Sequence, residues 1–402
     1  MTINSNQALK FIIYGSFLTF FATFYFKLSG ISVQKLTYSA MLVLLGCLLI
    51  IFFMKKKRSI NEFGLAKYVY LCLLLWCVIT IVRVDNFNQA NIISLLGLDF
   101  LLWAWLVPLA AVFGSRLEAW LDILNVVKRC VFFGAIMGFV SLLSGDNLSM
   151  TPWLMLIPYL LFTSAFFSWR DRWLILVAAL LALVGSVLLE QRSNAIYILI
   201  AMGLYIIELL RYSRANVFLK IIACLVLIST ILMAIVNKDV MSSGVENNEH
   251  LLTDSRTFLF EELYDDFSAT ELVFGRGVMG TYFSDYFYDL AQRDVEGGDA
   301  ADRISTEVGY LQMILKGGLL MVILHALIMV PAAYLGIIKG RNSIVRMCGY
   351  IVLIYFLLFS INYYQQFTAH FLLLWVAIGC CLSKKCREKT DEELIRYQRK
   401  FI

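Results

Sequence analysis

The chain has 402 residues, 60% of them hydrophobic and 16% charged, with a formal net charge of +5 and a mean hydropathy of +0.78. A soluble domain of that composition would leave far too much apolar surface in water, so the soluble classes are excluded. The apolar residues come in runs of about 17–22, the length a helix needs to cross roughly 30 Å of hydrocarbon, which also excludes the short alternating strands of a membrane barrel.

In chain order the runs predict an all-α polytopic membrane protein of about 12 transmembrane helices. They fall at 10–28, 36–54, 67–84, 91–113, 127–144, 152–169, 173–189, 194–210, 217–236, 307–330, 345–361 and 366–383. The first run is longer than a signal core and has no small-residue cleavage site behind it, so it is expected to stay as the first helix. Charge gives the orientation, because short cytoplasmic loops are rich in Lys and Arg. Lys55 to Arg58, Arg116 with Lys128 and Arg129, Arg170 with Arg172, Arg211 with Arg214, and Lys339, Arg341 and Arg346 all fall on one side. The short loops on the other side nearly lack positive charge. Both termini are therefore expected in the cytoplasm, and the net charge reflects these loops rather than nucleic acid. Eight of the nine cysteines lie in predicted spans and Cys386 lies in the tail, so neither a disulfide framework nor metal-site spacing is expected.

The predicted organisation is 1–236 for helices one to nine, 237–306 for one large external loop, 307–383 for helices ten to twelve, and 384–402 for a cytoplasmic tail. The tail mixes both signs and reads as a short solvated or membrane-surface helix. The loop carries fifteen acidic residues against five basic ones, the opposite balance to the inner loops. Within it, Thr257 to Phe267 puts Phe260, Leu263, Tyr264 and Phe267 on one helical face and Glu261, Glu262, Asp265 and Asp266 on the other. Asp254 or Ser255 is the expected N-cap. Such a helix would lie on the bilayer with its aromatic face down, and Tyr282, Phe283, Tyr286, Phe287 and Tyr288 repeat that interfacial signature.

Three arginines on the outer side run against the charge bias. Arg192 stands in Glu190-Gln191-Arg192-Ser193-Asn194, Arg256 opens the amphipathic segment, and Arg276 sits between Gly275 and Gly277. Snorkelling at a membrane edge is one reading. The other is a guanidinium clamp on a phosphate or diphosphate, for which the planar fork is suited. Gly275, Gly277 and Gly280 permit tight turns and close backbone approach.

The order of these features resembles the superfamily of bacterial O-antigen polymerases and O-antigen ligases. The resemblance covers about 130 residues: an arginine after a mid-chain span, an arginine early in a long loop, a Gly-x-Gly turn, and a segment entering the next span. In ligases that segment reads like His-Asn-x-x-Leu-Gln with glycines behind it. Here it is Glu307-Val308-Gly309-Tyr310-Leu311-Gln312, then Gly317-Gly318. Glu307 in place of the histidine tilts the resemblance toward the polymerases.

That resemblance implies a glycosyltransferase at the outer face of a bacterial inner membrane, with no cofactor and no metal. The donor would be a growing glycan on undecaprenyl diphosphate and the acceptor a repeat unit on the same lipid. Membrane lipids, a chain-length regulator and a flippase are the implied partners. Arg192, Arg256 and Arg276 would meet the diphosphate, with Gly275 and Gly277 giving close approach. Glu307 would be either the general base for the acceptor hydroxyl or an acid favoured by the helix dipole. Tyr310 and Gln312 would contact sugar or pack. An O-antigen ligase is the alternative. A flippase or other transporter would instead show mid-span charges and Gly/Pro-broken helices. The four prolines and few charges within the spans read against it.

Overall fold

A computed structural model describes residues 5–28, 34–83, 95, 102–144, 151–189, 191–212, 257–286, 288, 302–361 and 366–399. Straight-chain and aromatic apolar residues dominate the runs, and the chain accordingly folds mostly as helix, 83%. Before the loop these are α1 (Ser5–Leu28), α2 (Gln34–Asn61), α3 (Ala66–Val82), α4 (Leu102–Leu106), α5 (Leu117–Ser144), α6 (Thr151–Leu154), α7 (Ile157–Phe162), α8 (Trp169–Leu188) and α9 (Arg192–Tyr212). The loop region holds α10 (Thr257–Asp265), α11 (Ala269–Phe274) and a two-stranded antiparallel ribbon, β1 (Tyr282–Phe283) with β2 (Asp302–Arg303). After it come α12 (Gly309–Lys339), α13 (Ser343–Leu358), α14 (Ala369–Leu382), α15 (Lys384–Glu388) and α16 (Asp391–Arg399).

Among the described residues three helical stretches are long and apolar enough to cross a membrane: Ala119–Val140, Trp169–Leu188 and Gly309–Lys339. Seven shorter apolar helices accompany them. The expected span at 217–236 lies outside the described residues. Two other expected spans are interrupted. The segment 152–169 runs as α6, α7 and a 3-10 turn at Ser164–Phe166, and 3-10 geometry also takes over at Val107–Phe113. Proline is the physical reason: Pro108, Pro152 and Pro158 each lack an N–H and restart the chain at the first turn of a short piece.

The centre of the bundle is α12, which packs on α3, α11, α13 and α14. Helix α14 is buried along its whole length, as a helix apolar on every side must be. It meets the 3-10 segment backbone to backbone: a Cβ on Gly379 would lie 1.9 Å from the Ala111 carbonyl oxygen. The outward side of α12 is a stripe of exposed Leu319, Ile323, Leu327, Val330, Tyr334 and Ile338. At ~1.5 Å per residue it is about 29 Å long, the thickness of a hydrocarbon core. Exposed apolar stripes on α5 (Phe133, Ile136, Val140, Leu143) and α8 (Val177, Leu180, Val184, Leu188) match it. Helices of this kind point to a membrane protein.

The tail is docked rather than free. Asn342 donates to the carbonyls of Cys386 and Lys389, Asp391 accepts from the Ser343 backbone and hydroxyl, and Leu394 is buried. Between helices, Glu208 on α9 accepts from Arg346 at 2.7 Å and from the Tyr350 hydroxyl at 2.9 Å on α13, in a largely buried setting. Glu208→Ala removes the largely buried carboxylate partner of Arg346 and is expected to cost about 3–5 kcal/mol, whereas Glu208→Ala with Arg346→Met recovers most of it. Thermal unfolding of the detergent-solubilised variants measures both.

Candidate functional site at a broken helix

The sequence Leu315-Lys316-Gly317-Gly318-Leu319 breaks α12. Gly318 sits at φ 70°, ψ −176°, a backbone conformation that needs glycine. A break of this kind strands carbonyls that the next helical turn would have met. Each is taken by a group from elsewhere in the chain. The Arg276 N–H donates to Leu315 O at 2.8 Å, the Gly277 N–H to Lys316 O at 2.9 Å, and the Trp76 indole to Gly317 O at 2.8 Å.

The donors reach the break because the turn is glycine-built. Gly275 (φ 69°) presses on Lys316 and Gly317, where a Cβ would meet backbone at 2.5 Å. Gly277 (φ 82°) lies on the Arg83 carbonyl, 2.3 Å from where a Cβ would be. Arg83, just past α3, donates to the carbonyls of Phe274 and Gly275 at 2.7 Å each. The Val278 N–H donates to Thr80 O, and Lys316 Nζ donates to Gly280 O at 2.7 Å. Gly275 and Gly277, expected to give a tight turn or a close backbone approach, build a turn that lies against the protein's own backbone.

Arg276 turns away from the break. Its Nε and Nη2 donate to Glu271, its Nη1 to Asp266 and the Thr281 carbonyl, and its Nη2 also to the Asp266 carbonyl. All five N–H donors of the fork therefore have protein acceptors, and the cation lies over the Phe267 ring at 4.4 Å. This gives Arg276 a part in closing the loop, where the sequence placed it among the diphosphate ligands. The Arg276 hydrogen bond, with those of the Ser268 capping box, holds the Glu271 carboxyl at about 2, against its usual 4.5.

Helix α10 forms within the expected amphipathic segment but buries another edge. Leu259 and Leu263 pack on Tyr282, Val308, Leu311 and Leu315, while Phe260 and Tyr264 are 48% and 67% exposed. Glu262, expected on the solvated face, accepts from the Ser284 hydroxyl and the Tyr286 N–H. Closure of the loop onto itself explains the difference.

Glu307 is half-buried and immediately precedes the N-cap of α12, Val308. It lies close enough to Tyr282 to act on it: burial is the main cause that pushes that phenol up to about 12, Arg303 opposes, and Glu262 and Glu307 add. The Gln312 side-chain oxygen accepts from the Thr306 N–H. Tyr310 packs, its N–H donating to Phe359 O and its hydroxyl to Phe356 O. Phe359 also lines a small cleft with Thr151, Met155, Tyr355, Leu358, Gln366, His370 and Phe371. Asn194, in the first turn of α9, donates to the Thr151 hydroxyl and to Gln191. Asn194 in the first turn of α9 and Tyr310 in the first turn of α12 therefore each bond a residue that lines this cleft. The Arg192 side chain and all of Arg256 lie outside the described residues.

No protein-family model and no curated protein matches the chain. The site thus rests on its own chemistry. Among the described residues no group of three or more His, Cys, Asp or Glu side chains is placed to hold a metal ion.

Four residues escaped the sequence reading. Lys316 is hidden within the run LQMILKGGLL, although a lone lysine beside paired glycines was a visible irregularity. Trp76 and Arg83 carry no local signal for their roles. His370, remote from Glu307 in sequence, reaches the same cleft and stacks on Tyr355 with centroids 6.3 Å apart.

Gly318→Ala forces a Cβ to within 2.1 Å of the Val273 carbonyl in a positive-φ conformation, with a Cβ cost of about 1–2 kcal/mol before the clash is counted. The variant is expected to undock the 273–280 turn, seen as faster proteolysis and faster amide exchange there. Acid acts on the same turn. The folded carboxyl of Glu271 titrates below its usual value, so its contribution is present above about 4.5 and is lost as pH falls toward 2. Amide exchange at 268–280 is expected to quicken over that window, and Glu271→Gln should remove that part of the pH dependence.

Proposed function

We propose that this protein is a membrane glycosyltransferase that polymerises undecaprenyl-diphosphate-linked repeat units into O-antigen, capsule or exopolysaccharide. The observation that carries the reading is the junction itself. The Gly275-Arg276-Gly277 turn and the Gly317-Gly318 pair, separate pieces of the motif order that resembles this superfamily, meet in one contact. They do so one residue from the start of the α12 apolar stripe, at the depth where a lipid diphosphate would lie.

In this reading about twelve spans cross the inner membrane, both termini are cytoplasmic, and the loop around 257–306 faces the periplasm. The acceptor hydroxyl oxygen attacks the anomeric carbon of the donor glycan. The bond from that carbon to the diphosphate oxygen breaks, and lipid diphosphate leaves with the electron pair. Arg192 and Arg256 stabilise the leaving charge, and Glu307 takes the hydroxyl proton. Arg276 orders the loop. Neither a nucleotide nor a metal is called for.

One observation favours the ligase alternative: His370 lies in the cleft beside the entry to α12, where a ligase-type base would be wanted. The broken α12 in turn meets one expectation for a transporter. Surface-glycan ladders separate the three. Cells lacking the gene should show single repeat units, and wild type should restore long chains. Arg192→Ala, Arg256→Ala and Glu307→Gln should each lower chain extension by about 10²-fold or more at equal membrane abundance. Long lipid-linked chains that never reach a final acceptor would favour a ligase. An unchanged ladder in the null would exclude glycan transfer and leave transport.

A further inference from the structure

Lys316 is completely buried, and its ammonium has three donors but, among the described residues, a single acceptor, the Gly280 carbonyl. No carboxylate pairs with it among the described residues. Asp266 and Glu271, the acids bound to the same turn, are both engaged by Arg276. Nor is Lys316 needed to close the break in α12. The carbonyls of Leu315, Lys316 and Gly317 are already met by Arg276 N–H, Gly277 N–H and Trp76.

A buried charge with one neutral acceptor is costly, and a protein keeps such a group where an anion completes it. Position narrows the anion. The α12 stripe of lipid-facing residues begins at Leu319, so the ammonium stands at the edge of the hydrocarbon layer, level with phosphate headgroups. The cover over it is the 275–280 turn, held down by backbone hydrogen bonds and carrying two glycines at positive φ, Gly275 and Gly277.

We infer that Lys316 is an anion-binding residue for a diphosphate group, which displaces the Gly280 carbonyl when the 275–280 turn lifts. The inference rests on the glycan-transfer reading only for the source of that group, a polyprenyl diphosphate. Free inorganic diphosphate has the same chemistry.

Equilibrium binding to the full-length protein in nanodiscs tests it, with farnesyl diphosphate, farnesol and inorganic diphosphate as probes. Wild type, Lys316→Met and Lys316→Gln are compared, and the thermal midpoint is recorded for each sample. Wild type is expected to bind farnesyl diphosphate at least ~10-fold more tightly than farnesol, and both variants should lose that preference. Lys316→Met should keep or raise the midpoint, because an apolar chain of similar length replaces an unpaired buried cation. Should the Met variant not fold, the Gln variant carries the comparison. Competition by inorganic diphosphate would assign recognition to the headgroup alone. Its failure to compete, with Lys316-dependent farnesyl diphosphate binding intact, would assign it to the lipid. Unchanged diphosphate affinity in a folded variant overturns the inference and leaves glycan transfer to Arg192 and Arg256. No preference for farnesyl diphosphate over farnesol in wild type overturns both.

Discussion

The end of this bundle beside the 257–306 segment depends on how α12 is allowed to break. Two adjacent glycines open the helix at Gly318, and the freed carbonyls must be met because the break is buried in the protein. The 275–277 turn meets two of them through main-chain N–H groups, and Trp76 meets the third. Main-chain donors leave only when the turn itself moves, so the seated turn is in register with the helix. Arg83 then ties the same turn to the end of α3, and the ion pairs of Arg276 tie it to α10 and α11.

From that contact the remaining geometry follows in order. With the turn seated, Leu259 and Leu263 cover the first turns of α12, and Val308 and Leu311 complete a small core separate from the main bundle. The entry to α12 is thereby held against the end of α13 by Tyr310, whose backbone partner Phe359 lines the cleft that holds His370 and Thr151. The position of the α12 entry is set by backbone hydrogen bonds and glycine contacts.

What the sequence disclosed and what it withheld have physical reasons. Helical, apolar, membrane-type architecture was legible because hydropathy sums over many residues and tolerates local error. The same averaging hid Lys316, whose single charge vanishes in a run of leucine, methionine and glycine. It also hid the interruptions at Pro108, Pro152 and Pro158, which leave hydropathy unchanged while removing N–H groups. The glycines at 275 and 277 were recognised as sites of close approach, but not what they approach, since that partner is another part of the chain. Arg276 was read as a ligand because an arginine outside the membrane looks available. Its engagement by Asp266 and Glu271 exists only once the loop has closed. The tail was read from its mixed charge as a solvated or membrane-surface helix, and its docking rests on Asn342 and Asp391, contacts with no signature in sequence.

The order of the junction along the chain has a consequence for how the protein is made. Trp76, Arg83 and the 273–280 turn all precede residues 315–318, so every partner of the break has been synthesised before the break itself emerges from the ribosome. The half-helix Gly309–Gly317 can be received on arrival by groups already in place, and its carbonyls need not wait, unmet, in lipid. A truncation ending before residue 309 would strand the turn without its helix, whereas the intact chain closes the junction as an ordinary step of vectorial assembly.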